Sequence, residues 1–403
     1  MRGRVGLAAA VTTVAAVLST GCGTARPADA SHSPASPAPS QAVTGAWSAP
    51  SGGTGRLLGV AALSEADAWA VGSHTPLPKG TYPLTEHWDG KRWTAVPCPS
   101  PGSAAQPTRS DLEAVAFDAP DDAWAVGQWS PIEHVAPVYP LIEHWNGSKW
   151  SIVPAPQSPG YFTGGLTAVA AISPTQVWAL GDGGVLRWDG TSWRRLPIPA
   201  RAGLSGMAVI SASDIWLVGT RALPHTVAKF RTLAEHWDGS KWTIVRTPNA
   251  FKSRTRNSVL SAVNGSSSSN VWAVGWYQSG PIGIDHSTLI EHWDGTRWQV
   301  QPSPDGPRAA GDSQLFAVAA LSRTSAWAAG TNEGPVPLIE RWDGVRWTAM
   351  PSRLRSHLSS PALYQVAAVD PRYAWAFGTA FHLATLIEKW NGTAWHQVPS
   401  PNP

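Results

Sequence analysis

The 403-residue chain is poor in cysteine, methionine and charge: it has two Cys, three Met and 14% charged residues. Two cysteines are too few for a disulfide framework or a multi-cysteine zinc module. Lys and Arg number 30 against 27 Asp and Glu, a difference of 3, and no Lys/Arg block occurs, so the charge does not indicate a nucleic-acid partner. Outside the first residues, no segment shows the capped 3.6-residue apolar period of a helix.

Tryptophan, glycine and proline are abundant instead, with 24 Trp, 38 Gly and 36 Pro. A disordered chain lacks so many large aromatic residues, and a helical bundle would not tolerate so much Gly and Pro. The length suits one large domain or two of ordinary size. The composition therefore predicts a folded protein that is not helical.

The N-terminus has the pattern of an export signal. A basic start at residues 1–4 precedes 14 uncharged apolar residues, 5–18, which is shorter than the ~20 residues of a membrane span. Residues 18–22, Leu-Ser-Thr-Gly-Cys, resemble a bacterial lipoprotein signal, in which the cysteine is lipidated and becomes the mature N-terminus. The family usually has Leu three residues before the cysteine, where this chain has Ser19, so a plain secretory signal is the alternative.

We therefore expect a signal peptide at 1–21, lipidation at Cys22 and an Ala/Pro/Ser-rich flexible tether at 22–43. The expected location is the outer side of the cytoplasmic membrane, reached through the lipid anchor. If the lipid signal is not used, the protein is secreted.

The rest of the chain is dominated by internal repeats, which are a fold-determining signal. Each repeat holds four short segments, a to d, with one Trp in each of segments b, c and d. The 21 repeated Trp are 69/88/93, 124/145/150, 178/188/193, 216/237/242, 272/293/298, 327/342/347 and 375/390/395. The segments have strand length and composition and are separated by turn residues.

An Asp-Gly or Asn-Gly dipeptide between c and d supplies the positive φ of a tight hairpin in every repeat. We predict an all-β fold: a seven-bladed β-propeller of four-stranded antiparallel blades, preceded by the signal peptide and tether. A sandwich and a solenoid fit four strands repeated seven times less well. The propeller is assigned to residues 44–403, with repeats at about 57–101, 112–158, 166–199, 204–249, 260–304, 315–352 and 363–403.

The spacing of the repeats separates two faces. The first Leu of segment a precedes the b Trp by 12 residues, and the c Trp precedes the d Trp by 5, in all seven repeats. The distance from b Trp to c Trp varies from 10 to 21, and that from d Trp to the next Leu from 11 to 19. Because successive strands alternate in direction, the constant a–b and c–d turns share one face, and the variable b–c and d–a loops share the other. Variable loops on a rigid scaffold usually carry recognition.

The phrases Asp-Ala-Trp-Ala-Val-Gly (67–72 and 122–127) and Glu-His-Trp-Asp-Gly (235–239 and 291–295) resemble repeats of exported bacterial β-propeller lipoproteins. These are loosely similar to the kelch and galactose-oxidase central-domain propellers. The resemblance implies the fold over residues 44–403 but leaves the activity open, because such propellers include enzymes, lectin-like binders and scaffolds. The copper ligands of the oxidases match no position here.

The repeated residues are predicted to be structural. The 21 Trp keep a fixed register, which favours packing between blades, and the Glu of segment c recurs in six repeats, with Leu186 in the third. The residue after that Glu is His, Arg or Lys, which indicates an exposed cation position. Alanine or asparagine four residues after each segment-a Leu is expected to line the central axis, with no charged ring there. No cofactor or metal is expected. The lone thiol of the mature propeller, Cys98, is predicted to be incidental.

A last d-like segment, residues 45–50, precedes the first repeat. Two readings stay open for it: pairing with the last blade to close the ring, or a remnant of duplication.

The candidate ligand-binding residues are the aromatic residues that break the repeat. They lie in or beside the variable loops: Trp129, Trp276, Tyr277, Tyr82, Tyr139, Tyr161 and Phe162. They would stack on sugar rings or apolar side chains, or else cover their own loops.

We predict a non-catalytic, monomeric binding or scaffolding module for an envelope carbohydrate or protein. The alternative is a glycan hydrolase or lyase that uses loop residues such as His134 or Asp285.

Overall fold

The computed structural model describes residues 54–75, 80–102, 108–132, 137–156, 164–198, 203–223, 229–248, 257–279, 285–304, 312–332, 334, 336–354, 361–380 and 385–401. The predicted signal peptide, Cys22, the tether and residues 45–50 lie outside these ranges. The same is true of the candidate residues Tyr161 and Phe162 and of His134.

The chain forms a seven-bladed β-propeller, as the repeats predict, and each blade is a four-stranded antiparallel sheet of consecutive strands a, b, c and d. Blades 1 to 4 are β1 (Thr54–Ser64), β2 (Asp67–Thr75), β3 (Tyr82–Trp88), β4 (Trp93–Val96); β5 (Thr108–Ala119), β6 (Asp122–Pro131), β7 (Tyr139–Trp145), β8 (Trp150–Ile152); β9 (Leu166–Ser173), β10 (Gln176–Gly181), β11 (Gly184–Trp188), β12 (Trp193–Leu196); and β13 (Gly203–Ser211), β14 (Asp214–Ala222), β15 (Phe230–Trp237), β16 (Trp242–Val245). Blades 5 to 7 are β17 (Ser258–Ser267), β18 (Asn270–Ser279), β19 (Asp285–Trp293), β20 (Trp298–Gln301); β21 (Ser313–Ser322), β22 (Ser325–Asn332), β23 (Leu338–Trp342), β24 (Trp347–Ala349); and β25 (Ala362–Asp370), β26 (Tyr373–Thr379), β27 (Thr385–Trp390), β28 (Trp395–Gln397). None of the described residues forms a helix long and apolar enough for a membrane span.

The c–d hairpins close as the Asp-Gly and Asn-Gly dipeptides predict. Gly90 has a φ of 91°, and the corresponding glycine of every other blade is also in the left-handed region. The preceding Asp89 accepts the backbone N–H of Arg92 at 2.9 Å through its side chain. The glycine relieves the strain of the turn and the carboxylate satisfies its free donors, so the pair fixes the hairpin.

The repeated tryptophans pack between blades, also as predicted. The b Trp of one blade meets the c and d Trp of the next: the ring centroid of Trp69 lies 5.0 Å from that of Trp145 and 5.1 Å from that of Trp150, the latter edge to face. Seven hydrophobic clusters result, each spanning one pair of adjacent blades. The core of the protein is therefore this set of seven interfaces.

The ring closes between blades 7 and 1. Trp375 of blade 7 lies 4.9 Å from Trp88 and 5.2 Å from Trp93 of blade 1, between ring centroids. Thr385 Oγ1 donates to the backbone carbonyl of Gly55 at 3.1 Å. Blade 7 supplies its own strand d, so side-chain packing joins the two ends within the described residues.

The two faces differ as the spacing predicts. On the face of constant turns, here called the fixed face, the indole N–H of each c Trp donates to a backbone carbonyl of the a–b turn, as Trp88 does to Glu65 at 3.0 Å. The opposite face, here called the variable face, carries b–c hairpins of unequal length. The b–c turn of blade 3 is the shortest, with only residues 182 and 183 between its strands.

Candidate functional site

The cation position on strand c is half-buried rather than exposed, which corrects the prediction from sequence. His87 packs on Trp69 with ring centroids 4.6 Å apart, and its Nε2 lies 2.8 Å from Asp67 Oδ1. Where histidine is replaced, the cation still covers the b Trp: the Arg187 guanidinium lies 5.4 Å from the Trp178 ring centroid. Each of these side chains covers the b Trp, histidine through ring packing and arginine and lysine through cation–π attraction, so the position is structural.

The repeated Glu of strand c is fully buried at the contact with the preceding blade, which confirms its structural character. Ser303 Oγ donates to both carboxylate oxygens of Glu340 at 2.9 and 3.0 Å, and Ser400 Oγ donates to Glu86 at 3.0 Å. Burial raises the pKa of Glu86 to about 7, although its hydrogen bond from Ser400 acts in the opposite direction. Each serine stands five residues after a d Trp.

The residue at the serine position varies from blade to blade. The position is occupied around the ring by Cys98, Ala155, Ile198, Thr247, Ser303, Ser352 and Ser400. Leu186, which replaces the Glu in blade 3, shares a hydrophobic cluster with Ala155 of blade 2. At this one contact both the carboxyl group and the hydroxyl donor are missing, whereas Ile198, which also lacks a donor, precedes blade 4 with its Glu235.

Cys98 occupies the serine position opposite Glu143. The pKa of its thiol is raised well above the usual range, by burial first and by the nearby Glu143 carboxylate second. Neither oxygen of Glu143 has a hydrogen-bond partner among the described residues. A protonated, half-buried thiol is a poor nucleophile, so Cys98 belongs to the blade contact.

Replacing this thiol by a hydroxyl is expected to stabilise the protein. Cys98→Ser places a strong donor where Ser303 and Ser400 serve the equivalent Glu, and a hydrogen bond to Glu143 should add about 1 kcal/mol. Cys98→Ala, which offers no donor, is the matched control and should lower stability. Chemical unfolding monitored by circular dichroism gives both values. Equal midpoints for the serine and alanine variants would contradict the assignment.

The described candidate aromatic residues lie on the variable-face hairpins, each held by a cross-strand or same-face ring. Tyr82 stacks on His74 in blade 1, with centroids 5.8 Å apart. Trp129 and Tyr139 of blade 2 form a near-parallel stack, 4.7 Å apart with 26° between planes. Trp276 of blade 5 meets His286 edge to face at 4.3 Å.

Among the described candidates, the aromatic residues of blades 1 and 2 lie on adjacent backbone segments. The backbone N–H of Ser110 donates to the carbonyl of Thr81 at 2.9 Å, which ties the two blades beside Tyr82, and Ser110 pairs with Trp129 in the sheet. Trp276 is separated from them by blades 3 and 4. Tyr277, its neighbour, is partly buried against the core between blades 4 and 5. We call Tyr82, Trp129 and Tyr139 the aromatic patch.

The central axis is lined by different residues from those predicted. The alanines four positions after each strand-a Leu, such as Ala61 and Ala116, are buried in the clusters between blades. Asn264, the asparagine of that set, is 5% exposed and accepts the backbone N–H of Ala320. A bulge in every strand a leaves the residue directly after the Leu unpaired, and this displaces the register by one residue.

These bulged residues form a ring that we call the neck. Neighbouring a strands contact one another all around the propeller, so a bulged side chain of strand a that stays half-exposed faces the axis. The neck consists of Leu58, Glu113, Thr167, Ser205, Ser261, Phe316 and Tyr364, of which only Ser261 is fully buried. Contacts between adjacent blades support the ring: the Phe316 and Tyr364 centroids are 5.5 Å apart, and Ser205 Oγ donates to the carbonyl of Leu260 at 2.6 Å.

Glu113 is the one carboxylate of the neck, and charged groups surround it. Burial, aided by the neighbouring Asp111 carboxylate, raises the pKa of Glu113 to about 7, while Arg56 acts in the opposite direction. Arg56 of blade 1 lies 3.7 Å from Asp111 of blade 2, between Nη2 and Oδ2. Glu113 has no hydrogen-bond partner within the described residues. The sequence predicted no charged ring on the axis, and the neck carries this single carboxylate, at a position the prediction did not consider.

A second polar cluster lies at the start of strand a in blade 6. His286 Nδ1 is 2.8 Å from Asp312 Oδ1, and the Gln314 amide nitrogen lies 3.3 Å from the same histidine nitrogen. Unlike the histidines of the cation position, His286 engages the carboxylate through Nδ1 and leaves Nε2 without a partner in the described structure. The two residues are 26 positions apart in the sequence, so their spacing does not predict the pair.

Comparison with known proteins identifies the fold and nothing finer. No family model matches the chain, and no curated protein matches its sequence. Among solved structures, YCF48 bound to D1 peptide is 13% identical, with a TM-score of 0.51 over 87% of this chain and 95% of that one. YCF48 from Cyanidioschyzon merolae is 16% identical, with a TM-score of 0.52 over 85% of this chain and 98% of that one. The propeller domain of the Trilobed protease from Pyrococcus furiosus is 9% identical, with a TM-score of 0.47 over 87% of this chain and 99% of that one.

Within the ranges that the structure covers, no three His, Cys, Asp or Glu side chains are grouped so that they could hold a metal ion.

Proposed function

We propose that the protein is a non-catalytic binding or scaffolding module, displayed outside the cytoplasmic membrane through lipidated Cys22. The observation that carries the proposal is the division of the ring into two faces. The fixed face repeats the same Trp, cation and hairpin contacts in each blade, so its residues are explained by folding. The variable face holds the non-repeated aromatic patch, the mouth of the neck and the unequal b–c hairpins.

Its ligand is an envelope carbohydrate or a protein segment, bound on the variable face. Stacked Trp129 and Tyr139 leave a rigid aromatic platform, which suits the apolar face of a pyranose ring or an apolar side chain. A propeller of similar fold, YCF48, is bound to a peptide, and we therefore include a protein segment among the ligand classes.

The mature protein is to be tested against arrayed envelope polysaccharides and in capture of envelope proteins. We expect stoichiometric binding that Trp129→Ala weakens about tenfold or more, because loss of a stacking platform removes about 1–3 kcal/mol. Val345→Ser is the matched control: Val345 is 83% exposed at a fixed-face hairpin and should not affect binding. Binding that Val345→Ser abolishes and Trp129→Ala leaves intact would place the site on the wrong face.

One observation favours a second candidate function, a hydrolase or lyase acting on extracellular glycans. The His286–Asp312 pair holds an imidazole in a fixed orientation with its other nitrogen available, which is an arrangement that general bases use. Asp285 begins the same strand, β19. Chemical change of a bound glycan that is lost in His286→Asn would favour catalysis, and unchanged glycan after prolonged incubation would favour the binding module.

A further inference from the structure

The neck is divided into an apolar arc and a polar arc. Blades 6, 7 and 1 contribute Phe316, Tyr364 and Leu58 in succession. Blades 2 to 4 contribute a carboxylate followed by two hydroxyls, namely Glu113, Thr167 and Ser205, whereas Ser261 of blade 5 is buried. A group that enters the axis from the variable face therefore meets apolar surface on one side and hydrogen-bond acceptors on the other.

Several polar atoms in and beside the neck lack partners. Glu113 accepts no hydrogen bond within the described residues, and Asp111 Oδ1 is buried and unpaired. Gln365, which follows Tyr364 in strand a, is 1% exposed, and neither of its amide atoms has a partner in the described part of the chain. Asp111 is already paired with Arg56 through its other oxygen, and Gln365 occupies the register position of Ala114 and Ala262, which lie in the clusters between blades. Buried polar groups are paired in most proteins, so the unpaired Glu113 carboxyl group is the feature of the neck that favours a polar guest.

The negative charge of the neck favours a positively charged guest. Arg56, the nearby cation, is held by Asp111 at 3.7 Å and is 47% exposed at its side chain, so it does not neutralise Glu113. The remaining neck residues are uncharged. A cation with hydrogen-bond donors would pair with Glu113 and with the hydroxyls beside it, and an apolar stem would fit against Leu58 and the two aromatic rings.

We infer that the neck binds a primary alkylammonium group, whether the side chain of a lysine in a protein partner or a free diamine. The ammonium meets Glu113, and the alkyl stem lies against the arc of Leu58, Phe316 and Tyr364. The inference rests on the proposed function of the variable face, since the guest enters from that side, and it gives that face a specific chemistry.

The test uses the mature protein and four probes: the peptide acetyl-Gly-Lys-Gly-amide, the same peptide with its lysine acetylated, the same peptide with norleucine, and cadaverine. We expect calorimetric binding of the lysine peptide or of cadaverine and at least tenfold weaker binding of the two neutral peptides. Glu113→Gln, which keeps the shape and removes the charge, should weaken the cationic probes to a similar extent. Glu65→Gln, on an exposed fixed-face turn, is the matched control and should have no effect.

Binding should also strengthen between about pH 6 and pH 8, because Glu113, with its pKa of about 7, becomes charged in that range. Asp111 and Arg56 are the other charged groups that face it. Cadaverine binding alone would identify a free diamine, and peptide binding alone would identify a lysine side chain. Either result supports the site if Glu113→Gln weakens it.

No binding of any cationic probe, or equal binding of the lysine and norleucine peptides to the unmodified protein, would overturn the inference even if the Gln variant failed to fold. The wider proposal is distinguished by repeating the array with Glu113→Gln. Array binding that Glu113→Gln retains, together with no binding of either cationic probe to the unmodified protein, would reject the neck site and leave the variable-face module standing.

Discussion

Trp375→Ala is expected to lower the free energy of unfolding by about 3–5 kcal/mol, the range for removing a buried tryptophan from a core. Its side chain is fully buried and lies against Trp88 and Trp93 of blade 1 and against Phe377 of its own blade. The Lys389 ammonium also lies 5.0 Å from its ring centroid. Because a domain is usually stable by only about 5–15 kcal/mol, this loss is a large fraction of the total.

The measurement is urea unfolding followed by circular dichroism, with Trp129→Ala as the matched control. Trp129 is half-buried, stacks on Tyr139 and packs against the edge of the cluster between blades 1 and 2, so its removal should cost about 1–2 kcal/mol, less than that of Trp375. Trp69→Ala, at the contact between blades 1 and 2, should resemble Trp375→Ala, since Trp69 contacts the equivalent c and d tryptophans of its next blade, Trp145 and Trp150. If Trp375→Ala were no more harmful than Trp129→Ala, packing between blades 7 and 1 would not be what closes the ring.

The blades could be predicted from sequence because each depends on local signals at fixed spacing. Asp89-Gly90 specifies its hairpin through positive φ and side-chain acceptance, which are both properties of adjacent residues. The Trp sets recur in all seven repeats, which indicates a shared structural role. The same regularity predicted two faces, since strand direction alternates whatever the packing details are.

The neck could not be predicted from the sequence because the bulge in each strand a changes which residues face the axis. Side chains alternate along a strand, so a register counted from Leu57 assigns Ala61 to the axis. One inserted residue, Leu58, shifts that alternation and directs Ala61 into the cluster between blades. The alanines predicted to face the axis therefore lie in the clusters between blades. The bulged residues, including Glu113, face the axis instead, although the sequence pattern gives them no role.

The Glu–Ser contact was partly visible in sequence but was not recognised. Leu186 departs from the repeat in strand c, and Ala155 departs from it 31 residues earlier, in the preceding blade. A pairing across blades would relate these two exceptions. The structure places the hydroxyl donor on the segment after strand d of the preceding blade, 37 residues before Glu340 in the case of Ser303.

Glu143→Gln is expected to stabilise the protein strongly at alkaline pH and scarcely at pH 4. Burial raises the pKa of the Glu143 carboxyl group well above its usual value of 4.5, so the folded state retains a proton that the unfolded state loses as the pH rises past 4.5. Between pH 4.5 and the raised pKa of the folded state, this group lowers the free energy of unfolding by about 1.4 kcal/mol per pH unit. The contribution is therefore favourable below pH 4.5 and is lost as the pH rises.

Glutamine keeps the size of the side chain without a titrating group, and Glu143 has no hydrogen bond in the described structure that the substitution would break. Unfolding midpoints measured from pH 4 to pH 9 should converge at the acidic end and separate progressively towards the alkaline end, with the variant above the parent. The Gln substitution at Glu86 should show a smaller separation that levels off above pH 7, because Glu86 has a pKa of about 7 and a hydrogen bond from Ser400 to lose. Parallel curves for Glu143→Gln and the parent would mean that this carboxyl group titrates alike in the folded and unfolded states, and the buried carboxyl groups would then not set the pH dependence of the ring.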